Sequence, residues 1–142
     1  MIHQHYVQMF FIMIISGLLS TMNIWASDWS DIRLSLNDLY MTLLMTGWMF
    51  FLMGILDKIL PINIFGMLLI VGSFYAIRKQ LFIDQNQYLL GMIPHHSMAI
   101  MMSKRLLEND NSLTESERLF LKNLIKTQED EIIWMKRQER YS

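Results

Sequence analysis

The sequence predicts an all-α protein: three transmembrane helices followed by an antiparallel helical hairpin. With 142 residues, 53% of them hydrophobic, and a mean hydropathy of +0.27, the chain is more apolar than an ordinary soluble domain. Its charge is also segregated. Only eight Asp, Glu, Lys or Arg residues fall in positions 1–80, against seventeen in the 62 positions that follow. Long uncharged runs fill the first part and helix-start signals mark the second. The chain therefore divides into a membrane domain over 1–80 and a C-terminal hairpin domain over 81–142.

Tyr6 to Ala26 is the first uncharged run, long enough for a hydrocarbon core of about 30 Å, which takes about 20 helical residues. No Lys or Arg precedes it, which favours a retained span over about 6–26 rather than a cleaved signal peptide, although Ala26 imitates a cleavage position. Ser27 to Asp38 reads as a short polar connection carrying Asp28, Asp31, Arg33 and Asp38. Trp25 and Trp29 at its edge suit the membrane interface.

The second span runs over about 39–56 and is broken by Asp57-Lys58; Pro61 then ends one helix or opens the next. The third covers about 62–77. Arg78 and Lys79 close it, with side chains long enough to reach headgroups from a helix end. Met41, Met45, Met49 and Met53 recur every four residues and form a ridge along the second span. Adaptable packing against a neighbouring span is the plain reading of that ridge, and relay of a soft ion the sharper one. Glycines 47, 54, 66 and 72 are not spaced as GxxxG, so no dimerisation face is read from them.

The polar part opens at Asp84-Gln85-Asn86-Gln87, an N-cap residue with Gln three positions on. The helix it starts is expected over about 84–108, ending in the turn formers Asn109-Asp110-Asn111. Thr114-Glu115-Ser116-Glu117 is a second capping box, opening a helix over about 114–138. Two helices joined by so short a turn make an antiparallel hairpin.

Within the hairpin, Met92-Ile93-Pro94-His95-His96-Ser97-Met98-Ala99-Ile100-Met101-Met102 concentrates imidazole and thioether groups as no other stretch does. Such groups are ligands for soft or borderline ions such as Cu(I). At 100° per residue, His95, Met98, Ala99 and Met102 share one stripe, Met92 and His96 lie at its edge, and Met101 lies elsewhere. On the second helix, Leu121, Leu124, Ile125, Gln128, Glu131, Ile132 and Met135 share a face that Gln128 and Glu131 interrupt. Antiparallel pairing sets the histidines level with Gln128, Glu131 and Met135. A metal-free alternative uses the same residues: the histidines hydrogen-bond Gln128 and Glu131 and lock the hairpin in register. Pro94 is expected to kink its helix by removing a backbone hydrogen bond.

Several function classes drop out. The chain has no cysteine, which removes disulfides, thiolate metal sites and thiol nucleophiles, and a net charge of -1 gives no reason to expect nucleic acid. No HExxH spacing, Glu-x-x-His motif or glycine-rich phosphate cradle is present, and no nucleophile accompanies the histidines, so an enzyme is not expected.

The Met92-Ile93-Pro94-His95-His96 block with Met98-Ala99-Ile100-Met101, followed one helix later by Gln128, Glu131-Ile132 and Met135, resembles the bacterial family catalogued as domain of unknown function 305. The resemblance covers roughly Asp84 to Arg140, and the three preceding spans look like a membrane-anchored subset of that family. It implies a ferritin-like half-bundle and a copper or silver site on Met92, His95, His96, Met98, Met102 and Met135, with Gln128 and Glu131 as further motif positions. It also implies a bacterial inner-membrane setting, with a second copy of the chain completing a four-helix bundle. The expected function is thus non-enzymatic binding of Cu(I) or silver at a membrane; the rival is a structural or interaction protein built on the metal-free lock. Arg33, Arg78 and Lys79 against Lys58 lean toward a cytoplasmic hairpin, whereas exported members of the family imply the opposite side.

Overall fold

A computed structural model describes residues 2–139. Among these the chain is all-helical: α1 (Ile2–Leu19), α2 (Leu36–Leu56), α3 (Leu60–Lys79), α4 (Gln85–Asn109) and α5 (Glu115–Glu139), with two short 3-10 turns at Met22–Trp25 and Trp29–Asp31 between α1 and α2. They form two compact units. One contains residues 2–21 and 36–83, the other residues 22–35 together with 84–139.

The first unit holds α1, α2 and α3. The stretches Gln4–Trp25, Leu36–Leu56 and Leu60–Lys79 are each long and apolar enough to cross a membrane, since about 20 helical residues cover the hydrocarbon thickness. Large apolar side chains such as Phe11, Ile15, Leu52, Leu68, Val71 and Phe74 point outward, an arrangement that suits lipid rather than water.

Helices α2 and α3 approach closely at glycines. A Cβ added at Gly54 would collide with the Asn63 backbone, and one at Gly66 with the Phe51 backbone. The GxxxG test missed this contact because the small residues are distributed over two helices of one chain. Between those helices, Lys58 takes a left-handed conformation (φ 56°) and Pro61 lies in the first turn of α3, where its missing N–H leaves no intrahelical bond unmade. Rings of Tyr6, Phe10, Phe50 and Phe65 pack at centroid separations of 5.5–6.3 Å. The Tyr6 hydroxyl donates to Asp57 Oδ2 at 2.6 Å, fastening the start of α1 to the end of α2.

Helix α1 stops at Leu19, although the apolar run reaches Ala26. Asn23 supplies the reason. Its side-chain amide donates to the Arg33 carbonyl at 2.6 Å and its oxygen accepts from the Arg33 N–H at 3.0 Å, so residues 22–35 close into a loop of their own. That loop belongs with the hairpin.

In the second unit both capping signals form. Asp84 accepts from the Gln87 N–H at 2.8 Å. Thr114 and Glu117 satisfy each other's backbone N–H groups reciprocally, at 3.3 and 2.7 Å. The α4–α5 core is Leu89, Ile93, Ile100, Ile132 and Met135, with Met92 and Ile125 packed against it. Full burial of aliphatic side chains of this size contributes about 1.5–3 kcal/mol each. Leu121 is also buried, while Glu131 is exposed.

Candidate functional site

The phase of α4 differs from the ligand-centred expectation. His95 and Met102 are exposed and Met98 is half-buried, so these three do not form the stripe that faces α5. Leu89, Ile93 and Ile100 take that position because branched aliphatics gain more from burial than a thioether or an imidazole. Ile93, Pro94 and Ser97 are fully buried or nearly so, since a second face of α4 packs against the 22–35 loop. Met101 is half-buried, not outside the packing.

His96 is the histidine turned toward α5. Its Nδ1 stands 3.4 Å from Glu131 Oε2, and it is buried without a hydrogen-bond partner. Burial lowers the His96 pKa from its ordinary value; the Glu131 carboxylate opposes that shift and the neighbouring His95 adds to it. The two imidazole rings lie 6.2 Å apart, tilted by 57°. One turn before His96, Met92 packs against the hairpin core, and one turn after Glu131, Met135 is part of that core. Thus Met92 and His96 on α4 meet Glu131 and Met135 on α5 at two adjacent levels. Gln128 does not reach across the hairpin: its Nε2 donates to Glu131 Oε2 at 3.0 Å on the same helix.

Among the described residues no three His, Asp or Glu side chains are grouped to hold a metal ion. What this part of the hairpin offers is the buried Nδ1 of His96 beside the Glu131 carboxylate, with the thioethers of Met92 and Met135 one helical turn away.

The other face of α4 carries a polar network that was not anticipated from the sequence. Ser97 Oγ donates to Asp31 Oδ2 at 2.6 Å and accepts from the Ser27 N–H at 2.8 Å. Asp31 Oδ1 is ion-paired with Lys136 Nζ on α5, and Lys136 also donates to Ser30 Oγ at 2.8 Å. Arg33 binds both carboxylate oxygens of Glu139, at 2.8 and 3.0 Å. Asp31 and Ser97 are buried, at 4% and 0% exposure, so each needs its partners. One signal pointed here: if Ile93 and Ile100 are taken as core, Ser97 falls among buried residues and demands a partner.

Residues 80–138 match the model of the family described as Domain of unknown function (DUF305), a stretch that contains α4 and nearly all of α5. Over 98 residues the chain is 56% identical to an uncharacterized protein of Acanthamoeba polyphaga mimivirus, an alignment covering 63% of this chain and 62% of that relative. The chain therefore spans less than two thirds of the relative's length. No solved structure matches the chain.

Proposed function

We propose that this protein is a membrane-anchored, non-enzymatic binder of Cu(I) or Ag(I), with the ion held between α4 and α5 by His96, Met92 and Met135. The observation that carries the reading is the buried His96 Nδ1, which lacks a hydrogen-bond partner and lies one helical turn from Met92, packed against the hairpin core, and from the level of Met135, which is part of it. A buried polar atom is normally satisfied, and one imidazole with two thioethers is the donor chemistry that soft monovalent ions select. Glu131 is the adjacent carboxylate, and Gln128 fixes it from one turn earlier. His95 and Met102, exposed, and Met98, half-buried, stand on the same helix outside this donor set. The three apolar helices serve as the anchor, and the ferritin-like, membrane-anchored character follows the family resemblance. The bacterial inner membrane is the setting that resemblance implies, while the relative found is viral.

The metal-free lock has part of the same geometry behind it: His96 Nδ1 stands 3.4 Å from Glu131 Oε2 across the hairpin, while Gln128 bonds within its own helix. Competition titration of the full chain in nanodiscs against a chromophoric Cu(I) chelator, and of Ag(I) by calorimetry, separates the two. Binding that His96→Ala abolishes and His95→Ala retains is the expected result. Absence of binding by the unsubstituted chain, or binding indifferent to His96→Ala, overturns the metal reading.

A further inference from the structure

The 22–35 loop lies outside the stretch that matches the family model, yet it supplies half of the polar network on α4. We infer that Asp31 is a positioning residue for the His96 site, acting through Ser97 to set the rotation of α4; this rests on the metal reading above for its functional meaning.

Successive residues on a helix differ by about 100° in direction, so a rotation of α4 by one residue's worth would exchange His96 for His95 at the α5 contact. Something directional must therefore fix the helix. The aliphatic core resists rotation only through shape, and Met92 and Met135 are among the most adaptable fillers it has. Pro94, inside α4, removes a backbone hydrogen bond near this level and weakens the helix's own hold. Ser97, the residue after His96, compensates. Its hydroxyl uses its proton on Asp31 Oδ2 and a lone pair on the Ser27 N–H, so its direction is specified from two sides. Through its other oxygen, Asp31 is paired with Lys136, one residue after Met135. A single buried carboxylate thus ties the helix bearing His96 and Met92 to the helix bearing Met135. In metal sites, groups that orient the ligands govern affinity nearly as much as the ligands do.

The test uses the full chain in nanodiscs and two readouts. Because the chain has no cysteine, His95→Cys and His96→Cys each introduce a single reporter for thiol labelling without metal. On the unsubstituted background the reporter at 95 should label much faster than the one at 96. With Asp31→Asn the contrast should shrink, and in the histidine-intact chain Ag(I) affinity should fall about tenfold, short of the complete loss expected from His96→Ala.

Ser97→Ala, which removes only the hydroxyl link, should act in the same direction and decides the matter if Asp31→Asn labels uniformly fast along α4, as an unfolded hairpin would. An undiminished labelling contrast in both variants overturns the positioning role. If the unsubstituted chain binds no Ag(I), the metal reading alone fails, and the labelling contrast still decides whether Asp31 sets the rotation of α4.

Discussion

Arg33 grips both carboxylate oxygens of Glu139, Nε to Oε1 at 2.8 Å and Nη2 to Oε2 at 3.0 Å, across 106 positions of sequence. A planar fork on a carboxylate is the geometry in which arginine is not replaceable by lysine. It fastens the loop that follows α1 to the last turn of α5.

That pairing makes stability depend on acid in a defined direction. The Arg33 hydrogen bond holds the Glu139 carboxyl below the usual glutamate range. Caps do the same for Glu117, through Thr114, and for Asp110, through Ser112. Groups whose folded pKa is depressed contribute stability above their unfolded pKa and lose that contribution as pH falls through the folded value. The melting temperature of the nanodisc-embedded chain, followed by circular dichroism, should therefore drop from about pH 5 downward. Glu139→Gln should lower it at neutral pH and flatten the acid dependence; an unchanged slope would remove Glu139 from the account.

The Asp31–Lys136 pair predicts an asymmetry between substitutions. Asp31 is 6% exposed at its side chain and Lys136 29%. Lys136→Met leaves a buried carboxylate without its counter-charge, at a cost of about 3–5 kcal/mol. Asp31→Asn leaves a lysine that water can reach, and should cost less. Chemical denaturation of the two variants measures the order, and equal losses would show that Lys136 is solvated independently of Asp31.

In the first unit, Gly54→Ala and Gly66→Ala should each disrupt α2–α3 packing, because the added carbon meets backbone that cannot swing aside. A loss of about 1–3 kcal/mol is the usual scale of overpacking. Gly72 has nothing within 4 Å of such a carbon, so Gly72→Ala should be neutral or mildly stabilising, Ala being the better helix former by about 1 kcal/mol. Thermal melts in a single detergent compare all three. Destabilisation by Gly72→Ala as large as by Gly54→Ala would contradict the close approach.

At the hairpin, Glu131→Gln should weaken Ag(I) binding less than His96→Ala does, since a soft ion gains little from a carboxylate beside thioethers. Calorimetry on both variants settles the ranking. A larger loss from Glu131→Gln would make the carboxylate the dominant donor.

The three apolar helices, the hairpin and both of its helix-start signals were legible in the sequence, because hydrophobic runs and N-cap chemistry are local properties of neighbouring residues. His96, Met92 and Met135 could be named as candidate donors from residue type alone. Two features could not be read. Which histidine of the pair turns toward α5 depends on Leu89, Ile93 and Ile100 outcompeting His95, Met98 and Met102 for the buried face, a contest decided by the packing of two helices at once. That the polar residues Asp31 and Arg33 belong with Ser97, Lys136 and Glu139 depends on side chains from 66 to 106 positions apart meeting in one network. Local sequence determined that the helices form, though not where α1 ends. Only tertiary structure decided the rotation of α4 and the attachment of the 22–35 loop, since a buried charge or hydroxyl takes its partner from whatever the fold brings beside it.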